Sequence, residues 1–135
     1  MFFTVYLAGP IENVSFVDAV GWRNIVKEKL LKLGVRVLDP MRGKMLPYNY
    51  TDREIAERDF DDLDQSNAVI LYCKQNVVME GSSCEVGFCR AKGIPVISVG
   101  KSNTALVRDT VSKYGKEVNS LKEAVEIIKR WADNY

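Results

Sequence analysis

The sequence has no histidine and only three cysteines, and these shortages remove several classes of catalysis. Ser-His-Asp and Cys-His catalysis both need an imidazole base, so neither is available. A zinc site is disfavoured for the same reason, and we expect neither a metal nor a cofactor. An odd cysteine count argues against a disulfide framework, and we expect Cys84 and Cys89 to be buried as small apolar side chains. Acid–base chemistry must therefore come from carboxylates, tyrosine, lysine or cysteine.

The near balance of positive and negative charge also limits the classes of binding partner. Lys and Arg number 19 and Asp and Glu number 18, which leaves a net charge of +1. Nucleic acid and anionic membranes are therefore poor partner hypotheses. The apolar runs are too short to span a bilayer, and the first four residues lack the features of a signal peptide. We expect a soluble, cytoplasmic protein that acts on a small molecule.

Apolar runs alternate with helical patterns along the chain, and 47% of its 135 residues are hydrophobic. This alternation implies right-handed βαβ units and a parallel sheet. We predict one α/β domain over residues 1–135, a Rossmann- or flavodoxin-like three-layer sandwich with a mainly parallel sheet of about five strands and helices on both faces. The predicted strands are 2–7, 35–38, 68–72, 95–99 and a short edge strand at 117–118. The predicted helices start after Asn13 or Ser15, after Thr51 or Asp52, after Ser82, at Thr104 and after Ser120.

The first helix carries a rough apolar stripe, which we expect to face the core. Its members are Val17, Val20, Ile25, Leu30 and Leu31.

Ligands of such sheets bind at the carboxyl ends of the strands, where the strand order reverses. The loops after Leu7, Leu38 and Tyr72 should meet there. Gly9 allows close approach of the backbone to a ligand, and Pro10 completes a tight turn. Residues 41–50 are irregular and are predicted to form an active-site loop.

Glu85 follows a Gly-Ser-Ser turn and has two interpretations. Ser82 at the N-cap and Glu85 three residues later match a capping box, in which Glu85 bonds the backbone of the first helical turn. Alternatively, Glu85 is a carboxylate nucleophile at the rim of the sheet, as retaining glycosyl transfer requires. The spacing leaves both interpretations open.

Four acids lie between residues 59 and 64. Asp59 and Asp62 share a helical face, and one interpretation has Asp59 protonate or bind a leaving base. The alternative is a solvated acidic face, which we expect for Asp61 and Asp64. Tyr6 ends the first strand, where its hydroxyl either hydrogen-bonds a neighbouring carboxylate or belongs to a core aromatic ring.

Basic and hydroxyl side chains suggest a phosphate. Arg42, Lys44 and Arg58 are candidates for contact with a 5′-phosphate, and Ser82 and Ser83 lie at a helix N-terminus suited to anions. The alternative is ordinary surface charge. Neither a dinucleotide-binding glycine fingerprint nor a P-loop occurs.

Several segments together resemble the nucleoside 2-deoxyribosyltransferase superfamily. Each segment is weak alone, but their order and spacing from Tyr6 to Val99 are fairly specific. They are Tyr6-Leu7-Ala8-Gly9-Pro10-Ile11, Gly21-Trp22-Arg23, Asp39-Pro40-Met41-Arg42-Gly43-Lys44, Arg58-Asp59 with Asp62, and Gly81-Ser82-Ser83-Cys84-Glu85-Val86-Gly87-Phe88 with Ala91, Gly93 and Pro95.

The resemblance implies cleavage of the N-glycosidic bond of 2′-deoxynucleosides or deoxynucleotides. The glutamate at Glu85 would attack C1′ and form a covalent deoxyribosyl-enzyme, and a second nucleobase or water would take the sugar. The tyrosine at Tyr6 would orient the glutamate, and the aspartate at Asp59 would contact or protonate the base. The Gly-Ser-Ser segment would lie against the sugar or its 5′ substituent.

The resemblance also extends the predicted substrate-binding set to Gly9, Pro10, Arg42 and Asp62. Many transferases carry an acid six positions before the nucleophile. Met79 stands there in this chain, and Glu80 is the substitute that we predict. Small superfamily members form dimers or higher oligomers, so we expect a homodimer or larger homo-oligomer.

Three functions remain open at this point: a nucleoside deoxyribosyltransferase, a deoxynucleoside 5′-monophosphate N-glycosidase, and a nucleotide-binding module without turnover.

Overall fold

The computed structural model describes residues 2–42 and 50–135. Residues 43–49, with Lys44 and most of the predicted active-site loop, lie outside this described part. The strands are β1 (Thr4–Ala8), β2 (Arg36–Leu38), β3 (Ala68–Tyr72), β4 (Val96–Val99) and β5 (Lys116–Val118). The helices are α1 (Phe16–Lys32), α2 (Asp52–Asp64), α3 (Glu80–Lys92), α4 (Ala105–Tyr114) and α5 (Leu121–Asp133).

The described strands form one sheet in the order β2-β1-β3-β4-β5, and every pair is parallel. Tyr6 is in register with Leu38 on one side and Val69 on the other. This is the flavodoxin-like order, and its direction reverses between β1 and β3. The predicted fold class is confirmed, and the carboxyl end of β1 lies at the switch point.

Two apolar cores flank the sheet and make the fold a three-layer sandwich. One core joins Val5 and Leu7 of β1 to residues of α1 and α5, including Val26 and Ile128. The other joins Tyr6 and Ala8 to residues of α2, α3 and α4. Because strand side chains alternate between faces, β1 is buried on both sides.

The predicted buried stripe of α1 is confirmed at Leu30, Val20 is half-buried, and the prediction is wrong for the other three residues. Val17 is 75% exposed, and Ile25 and Leu31 are about half exposed. The core-facing residues are instead Ala19, Trp22, Arg23, Val26 and Leu30. Their spacing of three and four residues is also helical, so α1 carries two overlapping periodic sets. Packing against β1 and α5 selects the set that contains tryptophan and arginine.

Several local predictions are confirmed at the helix starts. Ser15 and Ser120 each accept a hydrogen bond from the backbone three residues later. Thr51 forms a reciprocal capping box with Glu54. Such caps satisfy backbone donors that the helix itself leaves without partners. The first strand, however, begins at Thr4 rather than at residue 2, because Phe2 is largely exposed.

Across the described ranges, none of the helices has the length and apolar character needed to cross a membrane.

Gly115 is required by the close approach of two backbone segments. A Cβ atom at this position would lie 1.8 Å from the Val96 carbonyl oxygen and 2.9 Å from the Val96 nitrogen. Gly115 joins α4 to β5, so it sits where the chain enters the sheet edge.

We therefore expect Gly115→Ala to lower the free energy of unfolding by about 2 kcal/mol, because β4 or β5 must shift to relieve the overlap. Urea unfolding measures this change. Gly21→Ala is the matched control, since nothing lies within 4 Å of a Cβ there and alanine favours the α1 helix. An equal effect of both substitutions would contradict this explanation.

Candidate active site

The start of α3 differs from the prediction and changes the role of Glu85. The helix begins at Glu80 with Met79 as its N-cap, and Met79 provides no side-chain cap hydrogen bond. Ser82 is therefore the third helical residue and Glu85 lies in the second turn, so the predicted capping box is wrong. The Ser83 N–H donates to the Met79 carbonyl oxygen at 2.9 Å, which starts the helix before the Gly-Ser-Ser segment.

Tyr6 provides a partner for Glu85 in the described structure. Its side chain is fully buried on β1, and its hydroxyl donates a hydrogen bond to Glu85 Oε2. The bond joins a strand to a helix 79 residues further along the chain. The glutamate is thus oriented by a buried tyrosine and not by the capping of its own helix.

The environment of Tyr6 keeps its hydroxyl protonated. Burial raises the pKa of Tyr6 far above its ordinary value of 10, and the charges of Glu85 and Asp59 and the hydrogen bond to Glu85 add to this. Arg23 acts in the opposite direction. Tyr6 is therefore a hydrogen-bond donor to Glu85 at neutral pH.

Asp59 belongs to the same charge cluster. It lies on α2, and its carboxylate acts electrostatically on both Tyr6 and Arg23. The three residues predicted as catalytic, Tyr6, Asp59 and Glu85, come from β1, α2 and α3 and are brought together beside the sheet. A strand and two helices are required to assemble them.

Arg42 and Asp62, both predicted to bind substrate, contact each other. The Arg42 guanidinium makes two hydrogen bonds to the Asp62 carboxylate, at 2.7 and 2.9 Å, and the hydrogen bond to Asp62 raises the pKa of Arg42. Arg42 also donates to the Asp39 carbonyl oxygen at 3.0 Å. Arg58 donates to the carbonyl oxygen of Arg42 at 2.7 Å. This two-pronged pairing is strong and neutralises much of the charge that Arg42 would offer a phosphate.

Gly9 and Pro10 are both buried at the carboxyl end of β1. A Cβ atom on Gly9 would lie 2.7 Å from Cζ2 of Trp22, so the close packing of the indole ring leaves room only for glycine. Trp22 stacks on Tyr72 with ring centroids 4.9 Å apart. These two rings and Pro10 line a groove of about 410 Å³ between the loop after β1 and the end of β3.

The predicted substrate-binding residues of α3 point in different directions. Glu80 and Ser83 line a cavity of about 560 Å³ with Lys74 and Lys101, beside the loops that follow β3 and β4. Ser82 is buried beneath the helix, and Gly81 is exposed. Asp61 and Asp64 are exposed, as predicted, and Asp64 lies 3.3 Å from the ammonium of Lys92.

The two cysteines of α3 lie in different environments, one buried and one exposed. Cys89 is buried, as predicted, and burial with the nearby Glu85 charge raises the pKa of its thiol to about 12. The prediction for Cys84 is wrong, because this side chain is exposed on α3. Residues 84 and 89 differ by five positions, which places them on different faces of the helix. Among the residues that the structure describes, no acidic or cysteine cluster is arranged to hold a metal ion.

Arg23 is a further site residue, and its role was not predicted from the sequence beyond its place in the resemblance. It is fully buried, and its guanidinium donates to the carbonyl oxygens of Leu7, Ala19 and Gly9. One signal was present in the sequence. Arg23 falls in register with Ala19, Val26 and Leu30, and an arginine within an apolar helical face is uncommon unless it is paired.

A model of the family described as nucleoside 2-deoxyribosyltransferase matches residues 5–125 of the chain. The chain belongs to this family. It is therefore assigned to enzymes that act on N-glycosyl compounds, either as transferases or as N-glycosidases. No curated protein matches the sequence significantly.

Solved structures share the fold at low sequence identity. A conserved protein from Enterococcus faecalis V583 is 17% identical, with a TM-score of 0.80 over 97% of this chain and 99% of that one. A 2-deoxyribosyltransferase from Bacillus psychrosaccharolyticus is 18% identical, with a TM-score of 0.70 and coverage of 90% for both chains. A CMP N-glycosidase from Clostridium botulinum is 17% identical, with a TM-score of 0.64 and coverage of 98% and 99%.

The raised pKa of Tyr6 predicts an incomplete titration of tyrosine in this family member. Because the folded-state pKa lies above the unfolded value, the contribution of Tyr6 to stability is complete below pH 10 and is lost as the pH rises beyond it. We expect Tyr6→Phe to leave the native absorbance change at 295 nm unaltered up to the pH of unfolding.

Protein unfolded in urea provides the control, because Tyr6 then loses the burial that raises its pKa. Under those conditions we expect Tyr6→Phe to reduce the absorbance change by the amplitude of one tyrosine. A similar reduction in the native protein, before unfolding, would show that Tyr6 ionises in the folded state.

Proposed function

We propose that the protein transfers a 2-deoxyribosyl group between nucleobases through a covalent intermediate on Glu85. The observation that carries this proposal is the hydrogen bond from the buried Tyr6 hydroxyl to Glu85 Oε2. A capping role for Glu85 was the main alternative, and α3 begins too early for it. Family membership supports the reaction class, and the placement of Asp59 beside the same cluster supports an acid partner.

The first step follows from these groups. A Glu85 carboxylate oxygen attacks C1′ of the sugar while the electron pair of the N-glycosidic bond moves onto the leaving base. Asp59 takes up a proton from solvent before this step, and its carboxyl group gives that proton to the leaving base. The result is a deoxyribosyl ester on Glu85, a free neutral base and an ionised Asp59. The missing 2-hydroxyl makes the oxocarbenium-like transition state easier to reach, so two carboxyl groups suffice.

The second step reverses the first with another nucleobase as the nucleophile. Its ring nitrogen attacks C1′, the ester bond to Glu85 breaks, and Asp59 takes up the proton that the incoming base loses. Tyr6 remains neutral in both steps and holds the carboxylate in one orientation. A pre-oriented nucleophile needs less reorganisation in the transition state, which is the contribution assigned to this tyrosine.

Hydrolysis of a deoxynucleoside 5′-monophosphate is the second candidate, with water as the acceptor of the sugar. The start of α3 favours it, since Met79 gives the helix no side-chain cap and the first backbone N–H groups suit an anion. Arg42 gives less support than the sequence indicated, because its guanidinium is committed to Asp62.

Removal of the nucleophile tests the common chemistry. We expect Glu85→Ala and Glu85→Gln each to lower kcat by about 10³-fold or more, since neither side chain can form the sugar ester. Release of free base, followed by chromatography, measures the rate. Glu126→Gln on the exposed face of α5 is the matched control and should retain the rate of the unchanged protein.

A 2-fluoro-arabino nucleoside analogue should trap the intermediate as a stable ester. Mass spectrometry of peptides then locates the sugar, and a label on any residue other than Glu85 would refute the assigned nucleophile. If the unchanged protein and Glu85→Ala both bind nucleotide and neither turns over any substrate in a broad panel, the chain is a binding module.

The acceptor is identified by a paired assay. Deoxyinosine with adenine should yield deoxyadenosine and hypoxanthine without free deoxyribose if the protein is a transferase. Deoxynucleoside monophosphates are incubated separately, and free base with deoxyribose 5-phosphate would instead identify the hydrolase. Glu85→Ala serves as the blank in both arms, because it removes the proposed chemistry of either reaction.

A further inference from the structure

Arg23 occupies an unusual place beneath the carboxyl end of β1. Its guanidinium lies in the interior with no exposed surface and donates to Ala19 O at 2.6 Å, Gly9 O at 3.0 Å and Leu7 O at 3.4 Å. Its Nε lies 3.7 Å from Asp39 Oδ1. One side chain of α1 therefore ties together the end of β1, the turn that follows it and Asp39, the residue that follows β2.

These contacts act on the backbone that bears Tyr6. Leu7 follows Tyr6 directly, and Gly9 is the turn residue two positions further on. Carbonyl groups at the end of a buried strand need donors, and their loss would leave buried acceptors without partners. A planar arginine supplies several donors at fixed angles, which a lysine ammonium cannot reproduce.

The charge of Arg23 reaches the reacting groups as well. Burial lowers the pKa of Arg23 from its ordinary value, and the charges of Asp39, Tyr6, Glu85 and Asp59 oppose that change. The same guanidinium lowers the pKa of Tyr6 against the effects of burial and the carboxylates. Arg23 is thus a buried cation that interacts with the anionic cluster from the other side of the sheet end.

We propose that Arg23 is a positioning residue of the active site, whose planar guanidinium fixes the end of β1 behind Tyr6 and whose buried positive charge offsets the carboxylates of Glu85 and Asp59. This inference rests on the proposed role of Glu85 as the nucleophile. Arginine does not touch the substrate in this arrangement, because its guanidinium is enclosed by backbone carbonyls and Asp39.

The charged and titratable groups around this cluster come from β1, α1, α2, α3 and the residue that follows β2. Tyr6 of β1 and Asp59 of α2 face Glu85, Cys89 lies on the same helix as Glu85, and Asp39 follows β2. Lys27 of α1 lies 2.9 Å from Asp39 Oδ2 and shares that carboxylate with Arg23. Of the two cations, Arg23 is fully buried and Lys27 is partly exposed, so Arg23 is screened less by water.

The test measures the ionisation of Glu85 directly. Protein carrying glutamate labelled with ¹³C at the side-chain carboxyl is titrated by NMR, and the Glu85 signal is assigned by its loss in Glu85→Gln. A nearby cation favours the ionised carboxylate, so we expect Arg23→Met to raise the titration midpoint by about one pH unit. Asp39→Asn removes an anion from the same cluster and should move the midpoint in the opposite direction.

Arg23→Lys separates charge from geometry. The lysine retains the positive charge but lacks the planar guanidinium. The titration midpoint of Glu85 should therefore stay near that of the unchanged protein, while kcat falls by about tenfold with little change in KM. The acid limb of kcat/KM should follow the NMR midpoints in all three variants. If Arg23→Met does not fold, Asp39→Asn and Arg23→Lys still test the role of Arg23.

Two outcomes overturn the inference. In the first, Arg23→Met and Asp39→Asn fold and Glu85 titrates with the same midpoint as in the unchanged protein. In the second, Arg23→Lys lowers the thermal stability but leaves kcat unaltered. Failure of the proposed reaction has a different signature. Midpoints that move as expected in a protein inactive on every nucleoside would retain the role of Arg23 in Glu85 ionisation and reject the reaction.

Discussion

The carboxyl end of β1 is the constraint on which the rest of the site depends. The strand is buried on both faces, so polar groups at its end must find partners in the two flanking layers. The layer of α2, α3 and α4 supplies Glu85 for the Tyr6 hydroxyl, and the layer of α1 and α5 supplies Arg23 for the Leu7 and Gly9 carbonyls. The contacts that satisfy this buried strand end are therefore the same contacts that place the Glu85 side chain beside Tyr6.

The electrostatics of the cluster follow from that burial. Half-buried carboxylates of α2 and α3 lie beside a fully buried tyrosine, and an unbalanced set of charges there would be costly. On the opposite side of β1, Arg23 lies beside Asp39, and its positive charge offsets the carboxylates. Lys27, which is partly exposed, also pairs with Asp39. The neutral tyrosine can serve as a donor because its own ionisation is disfavoured by the same surroundings. In the proposed reaction, carboxylates and a neutral tyrosine supply the acid–base chemistry of a chain that has no histidine.

Much of the fold could be predicted from local patterns. The apolar run of β3 was located to the residue, and Ser15, Thr51 and Ser120 cap the helices as expected. These features depend on side chains that act within a few positions of themselves, and strand–helix alternation restricts the topology to parallel βαβ units. Local spacing left the roles of Tyr6, Asp59 and Glu85 open, and the resemblance to a known family named them as the candidate cluster.

Contacts between distant segments decide the rest. Both periodic sets of α1 satisfy a helix, and only packing against β1 and α5 buries Trp22 and Arg23 rather than Val17 and Ile25. Arg42 and Asp62 are 20 positions apart, and their pairing turns a presumed phosphate ligand into an internal ion pair. Likewise, the S-x-x-E spacing permits a cap, but the chain enters α3 at Glu80 and carries Glu85 to Tyr6 instead. The sequence by itself therefore determined the helices and strands, because they depend on interactions between residues a few positions apart. The tertiary structure decided the partner of each buried polar group, because those partners are distant in sequence and meet only in the packed fold.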